Sequence, residues 1–327
     1  MRKKHQLPAF TALMVTGMIV TGCAAGDDSD AEFPSDTIEI IVPFSAGGAS
    51  DVQARAFAQA YEEANGDTIL VVNRPGGGTS IGTMEAAGAD PDGHTLLHST
   101  ASTFISLPLM EEVNFDTEDF RSIISYGDLP TIVLANADSG WESLDDVSTD
   151  AQLTIATTAP GNVLHLTVSN FIDEAGGTST YLPFDSSNET IQAVANGNAD
   201  LAGVDPGLAI PRIESGEVVP LAVASTERLE ALPDVPTFEE EGFERSHDRY
   251  SRSALTVPAD TPDEAVEALK EGAERAFETE TWQNYVSSTY IHEPAYEGEE
   301  FLEIFVPNET EWTRESLEFA GITPREQ

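Results

Sequence analysis

Ile40-Ile41-Val42-Pro43-Phe44-Ser45-Ala46-Gly47-Gly48-Ala49-Ser50-Asp51 begins as a β-branched run, breaks at a proline, crosses two adjacent glycines and enters an amphipathic stretch. That order describes a buried strand turning through a loop into a long helix. A corner of this kind leaves backbone N–H groups unpaired at the positive end of the helix dipole, an anion seat that needs no basic side chain. Gly47 and Gly48 allow the dihedrals and the close approach that a ligand requires, and Ser50 or Asp51 can cap the helix. The loop contains no GxGxxG and no Walker lysine, which disfavours a nucleotide.

Outward from this corner, short β-branched runs alternate with amphipathic segments. Strands are expected at Thr37 to Pro43, Thr68 to Asn73, Thr95 to Ser99, Thr131 to Ala135, Leu153 to Thr157, Thr180 to Pro183, Leu201 to Val204 and Val219 to Ala224. Helices are expected from Ser50 to Ala64, Leu164 to Ala175, Glu189 to Ala195, Thr261 to Phe277 and Gly298 to Phe319. The first would bury Val52, Ala56, Ala60, Tyr61 and Ala64, and the last Phe301, Ile304, Phe305, Trp312 and Leu317. The alternation predicts an α/β protein with mainly parallel sheets, and about 290 residues are enough for two domains.

The first 22 residues read as a signal peptide: Arg2, Lys3 and Lys4 precede an apolar run from Leu7 to Val20 that is too short for a permanent span. The leader ends in Val20-Thr21-Gly22-Cys23. Cys23 is the single cysteine of the chain, so no disulfide framework explains it, and its place after small residues suits a lipid anchor. Residues 23–35 form a small, acidic, proline-broken tether. The whole chain carries 15 Lys+Arg against 58 Asp+Glu, a formal charge of −43, and loss of the leader would make it three units more negative. Lys270 would then be the sole lysine. A folded chain this acidic suits a salt-rich medium, where a Debye length of about 3 Å at molar ionic strength screens self-repulsion. No basic patch is available for nucleic acid. Of the six histidines only His94 and His98 have HxxxH spacing, but the run between them reads as a strand, which does not bring positions four apart together, and no HxxE occurs, so no metal is expected.

Val42-Pro43-Phe44-Ser45-Ala46-Gly47-Gly48-Ala49-Ser50-Asp51, Asn73-Arg74-Pro75-Gly76-Gly77-Gly78 and Pro91-Asp92-Gly93-His94-Thr95-Leu96-Leu97 together resemble the extracytoplasmic receptors of tripartite tricarboxylate transporters, the TctC or Bug family. Asn196-Gly197-Asn198-Ala199-Asp200, Ala231-Leu232-Pro233-Asp234-Val235-Pro236-Thr237 and Val257-Pro258-Ala259-Asp260-Thr261-Pro262 continue the likeness in the same order, so that it extends from about Asp36 to Ile322. The resemblance implies a two-lobed, type II-like Venus-flytrap fold of the periplasmic-binding-protein kind, without a cofactor, that hands a small carboxylate to membrane permease subunits. Its lobes would comprise residues 36–131 with 252–327, and residues 132–251. By the same likeness the ligand loops fall at Phe44, Ser45, Ala46, Gly47, Gly48, Ser50 and Asp51; at Ser99, Thr100, Ala101 and Ser102; at Thr158, Ala159, Gly161 and Asn162; and at Phe184, Asp185 and Asp205.

Three positions leave their role open at this stage. Asp185 stands where relatives often carry a lysine or another polar residue, and an acid there would disfavour a second carboxylate. His165 would either touch ligand or pack at its helix start, and Arg252 would pair with a ligand carboxylate or bridge the lobes. Arg55 and Arg74 are expected to tie structure together. A sensing subunit for a membrane kinase would carry the same features. A secreted hydrolase is disfavoured by the absence of a GxSxG elbow.

Overall fold

The computed structural model describes residues 33–184 and 186–326. The signal peptide, Cys23, most of the tether and Asp185 therefore lie outside the described residues. The described chain runs β1 (Ile38–Val42), α1 (Ala49–Asn65), β2 (Ile69–Asn73), α2 (Ser80–Ala87), β3 (Thr95–Thr100), α3 (Leu107–Met110), β4 (Phe120–Asn136), β5 (Leu153–Thr157), α4 (Val163–Glu174), β6 (Ser179–Pro183), α5 (Ser187–Ala195), β7 (Leu201–Val204), α6 (Pro206–Glu214), β8 (Val218–Ala224), β9 (Tyr250–Pro258), α7 (Asp263–Phe277), α8 (Glu280–Thr289) and α9 (Val306–Phe319). The eight expected strands all form, and β5 and β7 match their expected limits.

The strands follow the order β2-β1-β3-β9-β4-β7-β5-β6, with β8 also on β4. Two parallel ladders, β2-β1-β3 and β6-β5-β7, lie at the outer ends. Between them the pairs β3-β9, β4-β9, β4-β7 and β4-β8 are antiparallel. The sheet is thus mixed rather than mainly parallel, because β4 and β9 carry the chain between the two halves in opposite directions. Residues Phe120 to Pro130 of β4 pair with β9, whereas Thr131 to Asn136 pair with β8 and, from Ile132, with β7.

Alternation within single strands sets the cores. Ile38, Ile40 and Val42 of β1 pack with α1, α7 and α8, while Ile41 faces the opposite cluster with Leu97, Phe104 and Phe301. Ile132 and Leu134 of β4 likewise face one core of the second half, and Val133 and Ala135 the other. Each half is a sheet covered on both faces, which explains the near-continuous apolar runs.

Two helices turn differently from expectation. In α1 the buried residues are Asp51, Gln53, Ala54, Phe57, Ala58, Ala60 and Tyr61, while Val52 is 49% exposed. Phe57 decides the orientation, since its ring sits 5.3 Å from Tyr126, 6.0 Å from Phe277 and 6.1 Å from Trp282. The last segment starts as a π-helical turn, Phe301–Phe305, before α9. The wider turn shifts the phase: Phe301, Phe305 and Leu317 are buried, but Ile304 is 43% exposed.

The first part of β4 and the whole of β9 lie outside the expected strands. Gly127 and Pro130 read as breakers, yet Gly127 is a bulge with φ +118°. A Cβ there would lie 2.5 Å from the carbonyl oxygen of His292, whose backbone bridges to Asp128.

Candidate functional site

Register brings the two parallel ladders together at their carboxyl ends. Thr100, the last residue of β3, stands opposite Ser253 near the start of β9, and Pro130 opposite Tyr250. Val204, the last residue of β7, stands opposite Ile132 on the far side of the same crossing. The loops after β1 and β3 therefore face those after β5, β6 and β7 across the switch between ladders, where open α/β sheets bind ligands.

On the first side, Gly47 takes φ +81° and donates its N–H to Asp51 Oδ2 at 2.8 Å. Asp51 also pairs with Arg55 at 2.9 Å, and Arg55 reaches Asn73 Oδ1 at 3.0 Å. Asn73 in turn donates to the carbonyl of Phe44 at 3.1 Å. Burial works to raise the Asp51 pKa, but Arg55, the Gly47 N–H and Asn73 outweigh it and hold the carboxyl below its usual range. Neither Ser50 nor Asp51 caps the helix: the N-cap is Gly48, without a side-chain bond. The N–H groups of Ala49, Ser50 and Asp51 consequently have no acceptor among the described residues. Ser45 and Ala46 are exposed. Phe44 meets the buried ring of His98 edge-on at 6.5 Å, and burial keeps His98 neutral, its pKa pushed down to about 3. Arg74 pairs with Glu85 at 2.9 Å, the structural tie expected of it.

After β3, Ser99 is turned inward and donates to the carbonyl of Ala254 at 3.0 Å. Thr100 meets Thr103 at 3.3 Å, leaving the half-buried Ala101 and Ser102 at the mouth of the π turn Ser102–Ser106.

On the second side, Gly161 takes φ +82° and a Cβ there would press on Met110 at 2.9 Å. Its N–H donates to Nδ1 of His165 at 3.1 Å, and its carbonyl accepts from Ser106 of the first half at 2.6 Å. Asn162 caps α4 by accepting from the His165 N–H. His165 is 1% exposed, its Nε2 lies 3.3 Å from Ser169 Oγ, and burial pushes its pKa down to about 4. Of the two roles open to His165 the structure displays helix-start packing, with both ring nitrogens engaged inside the chain. Ala159 N–H and Thr157 Oγ1 bond at 3.3 Å, and Thr158 accepts from Asn162 at 3.4 Å. Phe184 is half-buried against the second-half core and donates its N–H to Thr157. Asp205 is 7% exposed, its Oδ1 has no hydrogen-bond partner, and burial raises its pKa to about 6. Beside it, burial and then the Asp205 charge push Tyr285 of α8 upward.

Arg252 sits on β9. It donates Nε to Asp128 Oδ2 at 3.0 Å, a cross-strand pair on β9 and β4. Tyr250, Tyr296 and Phe305 frame its guanidinium. Burial raises the Asp128 pKa although Arg252 opposes it. Gly127-Asp128-Leu129-Pro130 has turn composition, and only the register of β4 and β9 reveals the partner of Asp128. Among the described residues no group of three or more His, Cys, Asp or Glu is placed to hold a metal, and no helix is long and apolar enough to cross a membrane.

Comparison with known proteins adds sequence and fold likeness. The profile described as "Tripartite tricarboxylate transporter family receptor" matches residues 53–311. A protein encoded in the TAR-I ttuE-ttuC′ intergenic region of Agrobacterium vitis is 31% identical over 274 residues, 82% of this chain and 78% of that protein. A solved periplasmic transporter superposes with TM-score 0.80 at 26% identity, covering 89% of this chain and 99% of its own. A Rhodopseudomonas palustris protein solved with adipate has the same TM-score at 23% identity, covering 90% and 100%.

Proposed function

The chain belongs to the tripartite tricarboxylate transporter receptor family, a carboxylate-binding solute receptor acting outside the cytoplasm, and from that premise we propose how its residues do this. One carboxylate of the solute sits on the first turn of α1, taking the N–H groups of Ala49, Ser50 and Asp51. Those three unpaired donors at the switch between ladders are the observation that carries the proposal. A chain of such negative charge holds an anion through oriented dipoles instead of a lysine pocket. Thr100, Ala101 and Ser102 complete the first wall, and the loop at Thr158 to Asn162 with Phe184, Ser186 and Asp205 forms the second. Asp51 keeps the seat in shape by holding Gly47, and His165 does the same for Gly161.

The two lobes, 36–131 with 252–327 and 132–251, close about the paired strands β4 and β9. The adipate of the R. palustris protein belongs to the same ligand class, and the unpaired Asp205 favours a solute whose far end donates a hydrogen. Cys23 carries the lipid that keeps the receptor beside its permease, and the acidic surface suits concentrated salt.

Gly48→Val tests the seat. Gly48 has φ −79° and a Cβ contact at 3.4 Å, so valine is tolerated by the backbone, yet its methyl groups crowd the N–H groups. The variant should melt within about 1 kcal/mol of the wild type without solute. It should lose the stabilisation that a screen of carboxylates confers on the wild type. Retained stabilisation would refute the seat.

A further inference from the structure

Arg249 and Arg252 flank the point where the chain returns across the sheet, and both keep guanidinium donors that no protein group accepts. Arg252 is 8% exposed; Nε goes to Asp128, while Nη1 and Nη2 have no hydrogen-bond partner among the described residues. Arg249 gives Nη1 to Glu309 at 2.9 Å and stacks on Trp312 at 4.3 Å, but its Nε is buried without any partner. Both side chains line one cavity of about 20 Å³. A charged donor left unpaired out of water is costly, so the buried Nε of Arg249 calls for an acceptor.

Size and the balance of donors and acceptors select the occupant. A space of about 20 Å³ admits roughly one water-sized body. Its lining holds two guanidinium groups and Glu309, and with Asp128 on Arg252 each arginine has one carboxylate partner, so what is left over at the cavity is an excess of N–H donors over acceptors. The larger cavity of about 420 Å³ on the other side of Arg252 is the reverse. Asp128, Asp248, Glu293 and Glu309 line it together with both arginines and repel anions. Ser102 and Thr313 add hydroxyl donors to the small cavity, and Leu166 and Phe305 give it an apolar wall. A water molecule can accept from both arginines but brings no charge and has its own protons to place; a halide accepts from every donor present.

We propose that this cavity is a binding site for a single inorganic monoanion of the halide class, held between Arg249 and Arg252. Its lining draws on both halves, Ser102 and Ser106 from one side and Val163 and Leu166 from the other. Occupancy therefore stabilises the arrangement in which the halves face each other, and ties the receptor to the anion content of its surroundings.

Crystals grown in sodium bromide, with data collected at the bromine absorption edge, should show an anomalous peak in this cavity within contact distance of both guanidinium groups. The peak should vanish in R249Q. In solution, replacing gluconate by chloride at constant sodium should raise the wild-type melting temperature along a saturating curve and leave R249Q nearly flat. Density without anomalous signal in the wild type would mean water alone and overturn the proposal. So would a bromide peak that survives R249Q, or identical chloride curves for the two proteins, which would reveal screening only. The solute-induced shift is read separately, so the carboxylate seat stands or falls on its own.

Discussion

Asp205→Asn isolates the energetic consequence of burying a carboxyl with no partner. In the folded chain burial raises the Asp205 pKa from 3.8 to about 6, with no charged neighbour among the causes. The folded state thus holds a proton that the unfolded chain has already released between about pH 4 and pH 6. This contribution is most favourable below pH 4, falls as the pH rises through 6, and stays lost above that. A shift of about two units at about 1.4 kcal/mol per unit amounts to about 3 kcal/mol. The asparagine variant stays neutral throughout, so its stability relative to wild type should climb by about that amount from pH 4 to pH 7. For a chain of this length, 3 kcal/mol corresponds to about 5 °C in melting temperature. Calorimetry of both proteins without solute, across pH 4 to 8 in concentrated salt, yields the difference curve and cancels titrations common to both. A flat difference curve, or one that slopes downward with pH, would show that Asp205 is ionised at little cost and would refute its unpartnered burial.

Phe57→Ala should cost about 3–5 kcal/mol in a urea titration, because a ring 1% exposed and packed on four aromatic neighbours leaves a void; a loss below 1 kcal/mol would contradict the orientation of α1. Gly127→Ala places a Cβ against His292 at φ +118° and should lower stability by at least about 2 kcal/mol by the same measurement; an unchanged midpoint would mean that the bulge is not under constraint. Cys23→Ser should move the protein from the membrane pellet to the soluble fraction, and undiminished pelleting would count against the lipid anchor.

Local pattern carried a large share of this protein. The β-branched runs marked eight strands, and the Pro-Phe-Ser-Ala-Gly-Gly corner marked the helix start whose N–H groups face the crossing. Composition offered no basic patch for nucleic acid to use and left a single lysine in the chain after its leader. These features are local because they depend on neighbours within one turn or one strand: a glycine's φ, a proline's missing N–H, a strand's alternation.

Tertiary structure decided what depends on partners far away in the chain. Periodicity says that residues of α1 share a face, but only the aromatic cluster at Tyr126, Phe277 and Trp282 determines that Phe57, not Val52, points inward. Asp128 and Arg252 are separated by 124 positions, and no local signal pairs them; the antiparallel register of β4 and β9 does. Ser99, His165 and Asp205 all read as polar residues at strand or helix ends. Their surroundings separate them: Ser99 bonds to Ala254, His165 supports Gly161, and Asp205 is left buried with an unpaired oxygen. Residue type sets which hydrogen bonds a side chain is able to make, and the long-range packing around it determines which of them remain for a ligand.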